Sequence, residues 1–188
     1  MNFRDGVLRL RSKFSKKRSV EDAEMSPSIV LLLRKYHVFT EAEIRVACEK
    51  AWHKRFDGKE DPMCYVGYSE TGLSGSNSPF VLIKSGRYLI SVLHASQPYL
   101  EDVESVAQQL PRKEQQKAWR DHSAWVSLDL MSSKGAPRKE TYAVLARLAR
   151  YIGDANCSGF YLPKEQILLP NDGTADEGLQ LMIDGEFR

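Results

Sequence analysis

The sequence predicts an α+β domain: a mixed, mostly antiparallel sheet with helices packed on it, behind a detachable basic N-terminal arm. Three observations carry this. An unbroken apolar run opens the domain. The order of elements then reads β-α-β-β-β, with the last two strands joined by a tight glycine turn. The helix Glu140–Ile152 carries a single apolar stripe of Leu145, Leu148 and Ile152. The first four elements resemble the opening of a ferredoxin-like layer.

The chain has 188 residues, enough for one domain with a proper core. Hydrophobic residues make up 42% and charged residues 28%, ordinary values for a globular protein. No apolar run approaches the ~20 residues needed to span a bilayer. The sparse, odd set Cys48, Cys64 and Cys157 argues against a disulfide framework and fits a reducing cytoplasm. The first residues lack the apolar stretch of a secretory signal. The expected location is therefore cytoplasmic.

Residues 1–27 read as arm and linker, and residues 28–188 as one α+β domain. Phe3, Val7, Leu10 and Phe14 recur at helical spacing among basic residues. Residues 1–18 carry a net +6, leaving −4 on the rest of the chain. Arg9, Arg11, Lys13, Lys16, Lys17 and Arg18 are the candidate interaction residues, suited to an anionic membrane surface or an acidic partner. The mildly acidic body is a poor fit to nucleic acid.

"SIVLLLRKY", Ser28–Tyr36, reads as a central buried strand. "TEAE" is a capping box, with Thr40 as N-cap and Glu43 reaching back. Its helix runs to about Phe56, with Ile44, Cys48, Ala51, Trp52 and Phe56 on one face. "MCYVGYSE" is a strand. "FVLIK" and "RYLISVLHA" form a hairpin about Ser85-Gly86, where glycine accepts a positive φ. A helix follows from near Pro98, and Pro111 starts a second helical piece. In "SAWVSLDLM", Ala124, Val126, Leu128 and Leu130 alternate with Ser127 and Asp129, a half-buried strand. Glu140–Ile152 is a helix with Gly153 as its C-cap. "CSGFYLP" and "QILLP" are two short strands, and Thr174–Ile183 is a last helix.

No motif of established chemistry emerges. "GLSGSNS" is followed by Pro79 and a strand, not by the lysine and helix of a P-loop or the third glycine of a dinucleotide fingerprint. It reads as a hairpin connection. There is no CxxC, HxxxH or HExxH, and Cys48 and His53 diverge by about 140° on one helix. No metal or other cofactor is expected. G-x-S-x-G is absent. The sharpest catalytic candidate is His94 at a strand end, paired across a cleft with His122 at a strand start, with Asp129 nearby. Against it, any two histidines of the four could be paired this way, and each imidazole reads first as a half-buried ring bonded to backbone. Tyr65, Tyr68, Trp119, Trp125, Phe160 and Tyr161 read as core, since those strands lack the interleaved cations of a single-strand binder.

Three patches, "SVLHASQPYLEDVE", "DHSAWVSLDL" and "GFYLPKEQILLP", together with the element order, resemble the bacterial domain-of-unknown-function family 4261 over about residues 28–170. His122 and Ala124 match its His-x-Ala, while Trp125 stands where its second histidine would be. The proline-rich turn is reduced to Pro98. The resemblance implies a fold and no activity. The leading expectation is a non-enzymatic binding or accessory protein with a protein partner, of immunity or secretion-associated type. The alternatives are a hydrolase or transferase using His94 and His122, and peripheral membrane or nucleic-acid attachment through the arm.

Overall fold

A computed structural model describes residues 26–70, 79–133 and 135–186. Seven strands form one sheet: β1 Ser28–Leu33, β2 Cys64–Ser69, β3 Phe80–Ser85, β4 Tyr88–Ala95, β5 Ala124–Ser132, β6 Cys157–Leu162 and β7 Ile167–Pro170. Its order is β2-β3-β4-β5-β1-β6-β7, and every pairing is antiparallel. The α+β class is as expected, with an antiparallel sheet throughout these pairings. Three strands, β3, β4 and β5, separate β1 from β2. The opening is thus wider than a ferredoxin-like layer, whose β-α-β crossover spans one strand.

β1 is buried on both faces, and this explains its unbroken apolar run. Ile29, Leu31 and Leu33 point into a large core, while Val30 and Leu32 point into a smaller one behind the sheet. The strand ends at Leu33, short of Tyr36, because Arg34 turns to donate to the Ala155 and Cys157 carbonyls at 2.6 and 2.7 Å.

The large core is roofed by α1 (Glu41–Trp52), α4 (Arg138–Ile152) and α5 (Ala175–Ile183). The Thr40 hydroxyl accepts the Glu43 N–H at 3.2 Å, and Glu43 accepts the Thr40 N–H at 2.8 Å, completing the expected capping box. α1 stops at Trp52, before Phe56, because His53 takes a left-handed conformation at φ 52°. Phe56 is still fully buried, its ring 5.3 Å from that of Trp52.

The smaller core is covered by α2 (Val103–Gln109) and α3 (Lys113–Asp121) over β1, β6 and β7. α2 begins later than Pro98 because the Asp102 carboxylate caps it, accepting the Ser105 N–H at 3.0 Å. Tyr99, Trp119, Trp125 and Tyr161 pack edge-to-face here, with centroids 5.3–6.5 Å apart. Of the aromatics expected in the core, Trp119, Trp125 and Tyr161 pack here, and Phe160 and Tyr68 belong to the large core, whereas Tyr65 is exposed on the sheet surface.

Two glycines differ from expectation. Ser85 pairs with Tyr88, so the hairpin turn is Gly86-Arg87, one residue later, with Gly86 at φ 57°. Gly153 does cap α4, but at φ −69° it needs no left-handed freedom. A Cβ there would lie 2.5 Å from Phe160 Cζ, so the close approach of that ring requires glycine. The three cysteines are free and buried. Among the described residues no helix is long and apolar enough to cross a membrane. The Gly/Ser loop at 71–78 lies outside the described residues.

Candidate functional site

His122 sits at the C-cap of α3, two residues before β5 begins at Ala124. It is 3% exposed. Its Nδ1–H is directed at the Trp119 carbonyl, and its Nε2 accepts the Tyr99 backbone N–H at 3.0 Å. Both ring nitrogens are thereby used by the backbone. Burial holds the imidazole below its ordinary pKa, while the Trp119 carbonyl pulls the other way.

His94 lies near the end of β4, opposite Val126 on β5. Residues in register share a face, so its ring points into the large core with Val126. There the Phe39 N–H donates to Nε2 at 3.2 Å, and Nδ1 makes no well-formed hydrogen bond among the described residues, only a weaker interaction with the Pro79 carbonyl. Desolvation lowers its pKa to about 4, against an opposing effect of the Pro79 carbonyl and with some help from His37. His122, by contrast, stacks against Trp119 in the smaller core, at a centroid distance of 5.2 Å. The two histidines therefore occupy opposite faces of the sheet and do not meet in one cleft. Asp129 lies on the second face as well, accepting the Ser127 hydroxyl at 2.6 Å. The basic residues Arg9, Arg11, Lys13, Lys16, Lys17 and Arg18 lie outside the described residues.

The structure assembles a different site, which the sequence did not advertise. An open groove of about 520 Å³ runs between the end of α1, the β3–β4 turn, the exposed side of α4 and the end of α5. Trp52, Tyr88, Val144 and Ile183 give it apolar walls, and Lys54, Arg87, Lys139 and Arg147 bring four cations to it.

Its three carboxylates are already engaged. Glu140 pairs with Arg87 and accepts the Tyr88 hydroxyl at 3.2 Å. Asp61 accepts the Met63 N–H at 2.9 Å and the Cys64 thiol at 3.3 Å, which hold its carboxyl below the usual range despite a small opposing desolvation. Asp184 accepts the Gln180 amide at 2.8 Å. Lys139 and Arg147 have no ion pair among the described residues.

They stand two helical turns apart on α4, with the small Ala143 between them, so the groove floor there is low and flanked by charge. The only sequence signal was that spacing, Lys139-Ala143-Arg147, which on its own describes a solvated helix face. A neighbouring depression along Glu49, His53, Lys54, Arg55, Glu60 and Asp61 mixes both signs, with Arg55 and Glu60 paired at 3.3 Å.

No protein-family model matches the chain, and neither a curated protein nor a solved structure matches it. The resemblance to family 4261 rests on its three sequence patches and its element order alone.

Proposed function

We propose that this protein is a non-enzymatic binding module whose groove takes a short acidic segment of a partner protein. One observation carries the reading: Lys139 and Arg147 face an apolar-walled groove without an ion pair among the described residues, and the groove's four cations outnumber its three carboxylates. Along α4 they are separated by roughly 12 Å, from eight residues at 1.5 Å each. An extended chain covers that distance in about three to four residues.

The segment this suits carries two carboxylates at that spacing with an apolar residue between them. That residue would lie over Ala143 towards Trp52 and Ile183. Apolar contact supplies affinity, while the cations set register and accelerate encounter.

The test is fluorescence anisotropy with a labelled peptide bearing two glutamates four residues apart around a central leucine, titrated at low and at high salt. Saturable binding at low salt that weakens as salt rises is expected, because exposed charges are screened. Absence of saturable binding at low salt would overturn the reading.

A further inference from the structure

The second face of the sheet is only half covered by described elements. α2 and α3 lie over β1, β6 and β7. Across the remaining strands the same face presents Leu93, Leu82 and Tyr65, with Leu93 and Tyr65 each 37% exposed, and Met131, 56% exposed, stands at its edge where the β4–β5 register shifts. Register places them together: Leu93 lies opposite Ser127, and Leu82 lies between Gly67 and Ser91. A patch of this kind, exposed on a sheet, ordinarily marks a surface that something covers.

We propose that the N-terminal segment Phe3–Phe14 of the same chain docks on this half-face through its apolar stripe. The proposal is independent of the groove and concerns another side of the molecule. Four observations select this occupant.

The first is where the arm joins the domain. The Pro27 carbonyl accepts the Leu130 N–H at 3.0 Å, and Ser28 pairs with Asp129, so the chain enters the sheet beside Met131, at the corner of the patch. The second is reach. The linker at 19–27 extends to roughly 30 Å, enough to return over the face. The third is size. A helix from Phe3 to Phe14 is about 17 Å long, and the four strands from β5 to β2 are about 14 Å across.

The fourth is charge. The arm is +6 and the rest of the chain −4. Asp129 stands at the entry side of the face, and Lys84, in register with Tyr65, stands at the far side. Docked with its end nearest the linker over Asp129, the segment brings Lys13 and Lys17, which flank the stripe at helical spacing, to that carboxylate. Phe3, Val7, Leu10 and Phe14 are then covered, and Arg9 and Lys16 flank the outward side.

The test uses the full chain with a nitroxide on Cys introduced by Ser12→Cys, the native thiols being buried. The methyl NMR signals of Leu82, Leu93 and Met131 should broaden, while those of Leu168 behind α3 should not. Leu10→Asp with Phe14→Asp in the same chain should abolish that broadening. Signals unaffected by the label, or broadening that survives both substitutions, would overturn the proposal. A sample mixing spin-labelled, unenriched chains with isotope-enriched, unlabelled chains reads contacts between molecules. Broadening confined to that sample would assign the face to a second copy and equally overturn it.

Discussion

The backbone N–H of Tyr99 donates to His122 Nε2 at 3.0 Å, joining the loop after β4 to the junction of α3 and β5. With Nδ1 engaged by the Trp119 carbonyl, the imidazole acts as a neutral clasp between two backbone segments that would otherwise bury an unpaired donor and acceptor. Its position just before a strand, which marks it in the sequence as a catalytic candidate, is the position from which a ring can serve both.

His122→Phe keeps the ring volume and removes both bonds. Leaving two buried backbone groups unsatisfied costs about 1–3 kcal/mol each, so a loss of about 2–4 kcal/mol is expected, read as a lower urea midpoint with an unchanged slope. Binding of the acidic peptide to the folded protein should not change, since His122 lies in the smaller core, away from the groove. A variant as stable as the parent would refute the clasp.

The pH dependence follows from His94. Its folded pKa is about 4 against 6.5 for a free imidazole. Between those values the unfolded chain binds a proton that the folded chain refuses. Stability is therefore complete above about pH 6.5, falls as pH drops towards 4, and loses up to about 3 kcal/mol across that window. Burial of His122 acts in the same direction. Urea melts at pH 7.5, 6 and 5 should show this fall, and His94→Leu should flatten it. An equally steep fall in His94→Leu would show that His94 is not its source.

Gly153→Ala tests the packing of α4 on β6. The new methyl would meet Phe160 Cζ at 2.5 Å and Cε1 at 2.7 Å, and such overpacking costs about 1–3 kcal/mol. Phe160→Leu shortens the opposing side chain, so adding Gly153→Ala in that background should cost less than about 1 kcal/mol. Thermal melts of the four proteins in this cycle give the coupling directly. Additive losses would exclude the contact as the cause.

Much of the fold was legible because its signals are local. Thr40 and Glu43 make their capping box within four residues, and the unbroken run of β1 records burial on both faces. The hairpin shifted by one residue because Ser85 and Gly86 both suit a turn, and only the pairing of Ser85 with Tyr88 decides it. Strand ends suggested that His94 and His122 converge, but the face each side chain takes depends on register across the sheet, which no single strand encodes. The groove was hidden for a similar reason. Arg87 and Glu140 are 53 residues apart in sequence, and Lys139 with Arg147 reads as an ordinary solvated face until the hairpin and α5 close around it.

The most direct test of the binding reading is a charge swap in the groove. Wild-type protein and Lys139→Glu/Arg147→Glu are each titrated with the glutamate peptide and with its lysine counterpart. The account predicts that the double variant loses the glutamate peptide by about tenfold or more, about 1.4 kcal/mol, and gains affinity for the lysine peptide. Equal affinity of both proteins for the glutamate peptide would contradict it.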